Sequence, residues 1–135
     1  MPDLSANGRP SVADAEVAVA RLESMSTDLR GCAVLAADGS VLAATGDPER
    51  WGEPARELLA AADAAAGEPV SHAHVATEDG EAFAVRAGGI ALIAAAARFT
   101  LASLLLSDIR AVLRDLLRAP GAAPAARDAA AAVEA

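Results

Sequence analysis

The stretch that decides the fold covers residues 71–97 and reads SHAHVATEDGEAFAVRAGGIALIAAAA. Its three short apolar runs are separated by Asp79-Gly80 and by Gly88-Gly89. Both dipeptides favour two-residue hairpin turns, because glycine readily adopts the positive φ that such turns require. The stretch therefore predicts three antiparallel strands in succession, and its apolar content means that both faces of the sheet must be covered.

A second hairpin lies upstream. Residues 32–37 are continuously apolar, which is typical of a strand buried on both faces. Asp38-Gly39 turns the chain back into a partner strand over residues 41–45. Residues 71–77 mix Ser, His and Thr into both faces and suit an edge, whereas residues 90–96 are apolar on both faces. Placing the two fully apolar strands side by side predicts a five-stranded antiparallel sheet in the spatial order 2-1-5-4-3.

The first of three predicted helices precedes this sheet. Ser11 and Asp14 have the spacing that caps a helix start. The helical pattern continues to Arg30, and Gly31 is expected to be its left-handed cap. The helix should bury one stripe, which consists of Val12, Ala15, Val19, Leu22, Met25 and Leu29.

The middle and last helices have less regular starts. Pro54 disfavours the helical conformation in the residue before it, so we expect a loose turn around Trp51 and a helix over residues 54–66. Thr100 is predicted to cap the last helix, with Phe99 and Leu104 packed together as a hydrophobic staple. With helices on both faces of the sheet, the fold class is α+β in the order α-β-β-α-β-β-β-α.

Composition predicts one acidic domain. The 135 residues include 19 acidic and 11 basic ones, and a net charge of −8 argues against a nucleic-acid backbone or an anionic membrane as partner. We expect a disordered N-terminal tail over residues 1–10, a domain over residues 11–119 and an Ala-rich flexible tail over residues 120–135. Neither a secretion signal nor a membrane span is visible. A single cysteine, Cys32, fits a reducing cytoplasm.

Candidate chemical sites are weak. His72 and His74 share one face of a strand, a geometry that zinc sites use, but no third ligand is close in sequence. Cys32 opens a buried strand, where a thiol behaves as an inert apolar group. The acidic residues have no apolar cleft around them, so we predict no catalytic residue, no metal and no cofactor. Trp51 has two open interpretations: a filler beneath the middle helix, or an exposed anchor for a partner.

Two segments carry a family resemblance: LRGCAVLAADGSVLAATG at residues 29–46 and VATEDGEAFAVRAGGIALIAAAA at residues 75–97. In each, apolar strands and glycine turns follow one another in the order of the Roadblock domain. That family contains dynein light chains and bacterial partners of Ras-like GTPases, and the resemblance extends over residues 12–117. Pro54 departs from the family pattern, in which the middle helix is usually longer and lacks such a proline.

The resemblance implies a non-enzymatic interaction module, a homodimeric scaffold or regulator of a small Ras-like GTPase. The middle helix of this family belongs to its dimer and partner surfaces, and here the edge strand lies beside it. The predicted interface residues are therefore Trp51, Leu58, Leu59, Ala62, Ala73 and Val75. The alternative is a small-molecule sensor domain of a signalling system, which would need a pocket lined by bulky groups. An alanine-dominated core with few aromatics favours the interaction module.

Overall fold

The computed structural model describes residues 10–119, so the predicted tails at 1–9 and 120–135 lie outside the described residues. Pro10, which the sequence assigned to the N-terminal tail, is buried. The elements follow the predicted order: α1 (Val12–Met25), β1 (Leu29–Leu35), β2 (Val41–Ala44), α2 (Glu49–Ala66), β3 (His72–Ala76), β4 (Glu81–Ala87), β5 (Ile90–Ala96) and α3 (Ala102–Leu117).

The strands form one antiparallel sheet in the order β2-β1-β5-β4-β3, which confirms the predicted topology. β1 and β5 lie side by side in the middle, with Cys32 opposite Ala94 and Val34 opposite Leu92. Both strands are buried along most of their length, and this is why successive residues of each are apolar. β3 pairs with β4 on one side and is an edge of the sheet on the other, as predicted.

Helices cover the two faces of the sheet unequally. α1 and α3 pack on the face that carries Val34, Phe83 and Leu92. α2 lies on the opposite face, over Leu35 and Ile93. Alanine fills most other positions beneath α2, and such small side chains let a helix lie close to the sheet. The other members of that cluster are Ala33, Ala55, Leu59, Ala84 and Ala91.

The predicted end of the first helix is wrong, because α1 ends at Met25 and not at Arg30. Residues 26–28, Ser-Thr-Asp, are of the kind that hydrogen-bond to nearby backbone and favour helix ends. Gly31 is not a helix cap. It belongs to β1, which begins at Leu29, and it has no positive φ.

The predicted start of the middle helix is also wrong. α2 begins at Glu49 and contains Pro54, whereas the predicted helix began at the proline. Asp47 accounts for the earlier start: its side chain accepts a hydrogen bond from the Glu49 N–H at 3.0 Å, and its carbonyl accepts one from the Arg50 N–H. Pro54 then lies in the second turn, where it leaves the Arg50 carbonyl without its usual intrahelical donor. The other end is as predicted, with Gly67 as a left-handed cap at φ 78°.

The predicted hydrophobic staple before the last helix does not form. Phe99 has a φ of 63°, in the left-handed region, and is 85% exposed. Leu104 is 57% exposed. Thr100 does not cap the helix either, because the N-cap residue is Leu101, which makes no side-chain cap bond. The ring of Phe99 instead lies 4.7 Å from the guanidinium carbon of Arg98.

The glycine turns form for two different reasons. Gly88 and Gly89 have φ values of 56° and 82°, which confirms a turn that requires positive φ. Gly80 does not have positive φ. A Cβ at that position would lie 2.6 Å from the carbonyl oxygen of Ala96, so glycine is needed there for close approach of the backbone.

Candidate interaction site

β3 is an edge strand. Among the described strands, none forms hydrogen bonds with the backbone groups on its outer side. Its side chains are exposed on both faces, apart from the half-buried Ala73. Val75 shares the α2 face of the strand with Ala73 and is 40% exposed. β3 contains no lysine and no proline, the residues that commonly protect an edge strand from pairing with another chain.

All six predicted interface residues lie on the α2 side of the sheet, on α2 or on β3. Leu59 is 8% exposed and belongs to the core beneath α2. Leu58 and Ala73 are half-buried and pack against that same cluster. Ala62, one turn after Leu58, is half-buried as well, and Val75 is the most exposed. An apolar strip therefore reaches from α2 to the sheet edge.

Trp51 lies in the first turn of α2, away from the end of that helix that is next to β3. Its indole Nε1–H donates to the carbonyl of Thr45 at 3.0 Å, just after β2. Its ring covers Gly31, where a Cβ would come within 2.9 Å of the ring carbon Cζ2. β2 is the edge of the sheet opposite β3, so Trp51 is not brought together with Val75. These contacts favour the interpretation of Trp51 as a filler beneath α2.

An ion pair holds the loop that leads from α2 into β3. Arg86 on β4 donates to both carboxylate oxygens of Asp63 on α2, at 2.7 and 3.0 Å. Asp63 also accepts from the Val70 N–H at 2.9 Å, and Arg86 donates to the Val70 carbonyl at 3.1 Å. The hydrogen bond from Arg86 is the main cause that lowers the pKa of Asp63, and it raises the pKa of Arg86 in return. The pair thus ties α2, the loop and β4 together where the edge strand begins.

The sequence analysis missed this pair. Nothing in the helical pattern distinguishes Asp63 from the other charged positions of α2. The available signal was Arg86, which interrupts an otherwise apolar strand between Val85 and Ala87. A charged group on an inner strand needs a partner, so a carboxylate on the covering helix could have been sought.

A second polar group lies at the other end of the edge strand. His74 Nε2 is 2.5 Å from one oxygen of Glu81, and its ring stacks on Phe83 with 4.3 Å between centroids. The other Glu81 oxygen accepts from the Thr100 N–H at 3.0 Å. The hydrogen bond with His74 is the main cause that lowers the pKa of Glu81. Glu81 therefore connects β3 to the loop before α3.

The described residues complete a chemical site around neither the two histidines nor the cysteine. No group of three or more potential metal ligands occurs among residues 10–119, so His72 and His74 have no third ligand there. Burial raises the pKa of the Cys32 thiol to about 11, so the thiol is protonated at neutral pH and is a poor nucleophile.

Acid should weaken the fold through Asp63 and Glu81. Both have a lowered pKa in the folded protein, so the unfolded chain binds their protons at higher pH. Their contribution to the free energy of unfolding is complete above the ordinary carboxyl pKa of about 4 and is lost as the pH falls below it. In urea unfolding from about pH 7 to about pH 3, Asp63→Asn should lose less stability than the wild type. The control Glu57→Gln should match the wild type, and an Asp63→Asn profile parallel to the wild type would contradict the assignment.

A groove of about 650 Å³ lies between α2 and the β4–β5 turn. It is open to solvent, with Leu35, Leu59 and Ile90 among its lining residues. Its charged side chains bind one another or the backbone: Arg86 pairs with Asp63, and Arg56 donates to the Gly39 carbonyl at 2.9 Å. The groove has the size of a ligand pocket, but its arginines are already engaged.

No protein-family model matches the sequence, and no curated protein is similar to it at a significant level. Solved structures give clear matches. A Roadblock/LC7 domain from Streptomyces avermitilis superimposes with a TM-score of 0.66 at 18% identity, over 76% of this chain and 93% of that one. The chain has the Roadblock fold. MglB from Myxococcus xanthus gives a TM-score of 0.61 at 12% identity, over 79% of this chain and 90% of that one.

The Roadblock fold is related in shape to profilin. A chain of the LokiProfilin1/rabbit actin complex superimposes with a TM-score of 0.57 at 15% identity, over 80% of this chain and 97% of that one. At these identities the comparisons establish the fold, which the sequence resemblance had predicted. Among the helices of the described residues, none is both long and apolar enough to cross a bilayer.

Proposed function

We propose that the protein is a non-enzymatic, homodimeric scaffold or regulator of a small Ras-like GTPase in the cytoplasm. The observation that carries the proposal is the edge strand β3, whose outer backbone groups have no strand partner among the described residues. It lies beside the apolar strip that reaches from α2 to the sheet edge. The Roadblock fold and the resemblance of the sequence to partners of Ras-like GTPases support the choice of partner.

Self-pairing of β3 is the step that makes the dimer. Two copies of an exposed edge strand can pair in antiparallel fashion about a two-fold axis, which joins two sheets into one. The backbone groups of β3 would then gain hydrogen-bond partners. Val75 would be removed from solvent at the same time, and burying its apolar surface favours association.

Alanine on α2 supports the same arrangement. The helix reads ERWGEPARELLAAADAAA, so its C-terminal half has small side chains at most positions. Small side chains let two helices approach closely across a two-fold axis. Leu58 and Ala62 are half-buried in the single chain and would become fully buried between two copies.

The paired α2 helices would form the surface that contacts the GTPase. We infer that this surface acts by holding the GTPase's own switch loops in position and contributes no catalytic side chain. The outward-facing residues of α2 include Glu53 and Glu57 near its start and Ala60, Ala61 and Ala64 further on. Such a surface has charge to orient a partner and a flat apolar area to contact it.

The test is binding to Ras-like GTPases encoded in the same genome, each loaded with GDP or with a non-hydrolysable GTP analogue. Calorimetry should find one GTPase bound per dimer, with a preference for one nucleotide state. A dimer that binds none of these GTPases in either state would refute the proposed partner and leave the dimer itself untouched.

A small-molecule sensor is the second candidate, and the groove of about 650 Å³ beside α2 is the observation that favours it. Binding there should protect the Asp63–Arg86 region, so a thermal-shift screen of metabolites would raise the unfolding temperature of the wild type. The shift should disappear in Ala60→Arg, because Ala60 is an exposed lining residue on α2 from which an arginine side chain can fill the groove. A screen without any stabilising compound would remove this candidate.

A further inference from the structure

A second groove lies on the opposite face of the sheet from α2, between α3 and β4. Its volume is about 340 Å³. The half-buried Ala87 and Leu117 give it apolar surface, and the buried Val85 and Leu113 lie beneath. Two arginines, Arg110 and Arg114, stand on α3 along its rim. No carboxylate is among the residues that line it, in a chain with 19 acidic and 11 basic residues.

Neither arginine of this rim makes a hydrogen bond or an ion pair with another residue in the range 10–119 that the structure describes. Most of the other arginine side chains described hydrogen-bond to a carboxylate or a carbonyl, as Arg21, Arg30, Arg56 and Arg86 do. Five make no hydrogen bond and no ion pair with a described residue: Arg50, Arg98, Arg110, Arg114 and Arg118. Two of these, Arg110 and Arg114, lie on α3, and Arg118 is its C-cap. The nearby carboxylate of Asp115 is bonded to Arg21 on α1.

Three of these arginines form a row with regular spacing along α3 and its C-terminal end. Arg110, Arg114 and Arg118 are four residues apart, which places their side chains about 6 Å apart on one side of α3. Attraction to the negative end of the helix explains Arg114 in the last turn and Arg118 at the C-cap. It does not explain Arg110, because that effect fades within one turn and Arg110 lies about two turns from the end.

We propose that this groove binds an acidic amphipathic helix of a partner protein. A helix with carboxylates four residues apart repeats the spacing of the arginine row, so several ion pairs can form at once. Leucine or similar side chains beside those carboxylates would contact Ala87 and Leu117, the apolar lining residues that are only half-buried. The face that α2 covers is not involved, so the protein would hold a second partner independently of a GTPase.

The groove fits a helix better than other anionic partners. It lies on a face of the sheet and offers no row of free backbone groups to an added strand. A membrane with anionic lipids would be repelled by the net charge of −8. A free phosphate is best held by convergent backbone N–H groups, whereas here the cations form a line beside apolar side chains.

The experiment is a titration of the full chain into a fluorescein-labelled peptide of about 18 residues, or five helical turns, with Glu and Leu at helical spacing. Fluorescence anisotropy should show saturable binding. An otherwise identical peptide with Gln in place of Glu should bind at least about tenfold more weakly. Raising the salt from about 0.1 M to about 1 M shortens the screening length from about 10 Å to about 3 Å and should weaken binding as well.

The protein variants locate the site. Arg110→Gln with Arg114→Gln should weaken binding of the Glu peptide by about tenfold or more. The control, Arg50→Gln with Arg98→Gln, removes the same charge elsewhere and should bind like the wild type. Equal affinities for the two peptides, or equal loss in both double variants, would overturn the proposal. Saturable binding to phosphatidylserine vesicles or to inorganic phosphate without binding to the Glu peptide would overturn it too.

Discussion

Replacing Ala73 and Val75 together by glutamate is expected to yield a folded monomer that no longer binds a GTPase. Both residues lie on the α2 face of β3, and Val75 is 40% exposed. When β3 pairs with its own copy, the two glutamates of one chain lie on the same face as the two glutamates of the other chain. The four negative charges are therefore close together in every register. Like-charge contacts at an interface cost several kcal/mol, so the dimer dissociation constant should rise about a hundredfold or more. Sedimentation velocity over a range of concentrations measures the change.

The matched control is Val12→Glu with Val17→Glu on α1, where the wild-type valines are 55% and 67% exposed. It adds the same charge far from β3 and should remain dimeric. Because Ala73 packs against the cluster beneath α2, the single variant Val75→Glu and a circular-dichroism spectrum check that folding is intact. A folded edge variant that keeps the wild-type dimer affinity would rule out self-pairing through β3.

Truncation of Phe83 to alanine should give the largest loss of stability, about 3–5 kcal/mol. Phe83 is fully buried, stacks on His74 and lies on β4 between the edge strand and β5. The control is Phe99→Ala, since Phe99 is 85% exposed and its loss should change the free energy of unfolding by no more than about 0.5 kcal/mol. Urea unfolding of both variants tests the contrast, and similar losses for the two phenylalanines would contradict the structure.

The same two phenylalanines show what the sequence can and cannot reveal. Phe83 lies in a strand between glycine turns, and this local pattern was enough to predict its strand. The order of the sheet followed from the two fully apolar strands. Phe99 lies between a strand and a helix, where the pattern matched a hydrophobic staple. The left-handed φ of 63° that turns Phe99 to solvent depends on tertiary contacts, including the bond from the Thr100 N–H to Glu81, and no local pattern encodes it.

The predicted helix boundaries were wrong for a similar reason. The prediction for α2 gave full weight to Pro54, although hydrogen bonds from the Glu49 and Arg50 N–H groups to Asp47 stabilise an earlier start. Gly31 looked like a helix cap. Glycine is needed there because the indole ring of Trp51, 20 residues further along the chain, leaves no room for a side chain. Both outcomes depend on which of several possible local interactions the packed structure retains.

The surface that we propose as the interface could be predicted only in part. The edge position of β3 and the apolar side of α2 follow from the burial pattern, so Val75 and Leu58 were accessible to sequence reasoning. The Asp63–Arg86 pair joins residues on α2 and β4 that only the fold brings together. Trp51 could not be assigned from sequence, because a filler and an anchor have the same pattern.

Multi-angle light scattering of the wild type at tens of micromolar is the most direct test of the dimer on which the proposed function rests. The expected mass is twice the 13.4 kDa of the chain, and it should fall to 13.4 kDa in the Ala73→Glu, Val75→Glu variant. A wild type that elutes with the mass of one chain at this concentration would contradict the edge-strand dimer and the GTPase surface built from it.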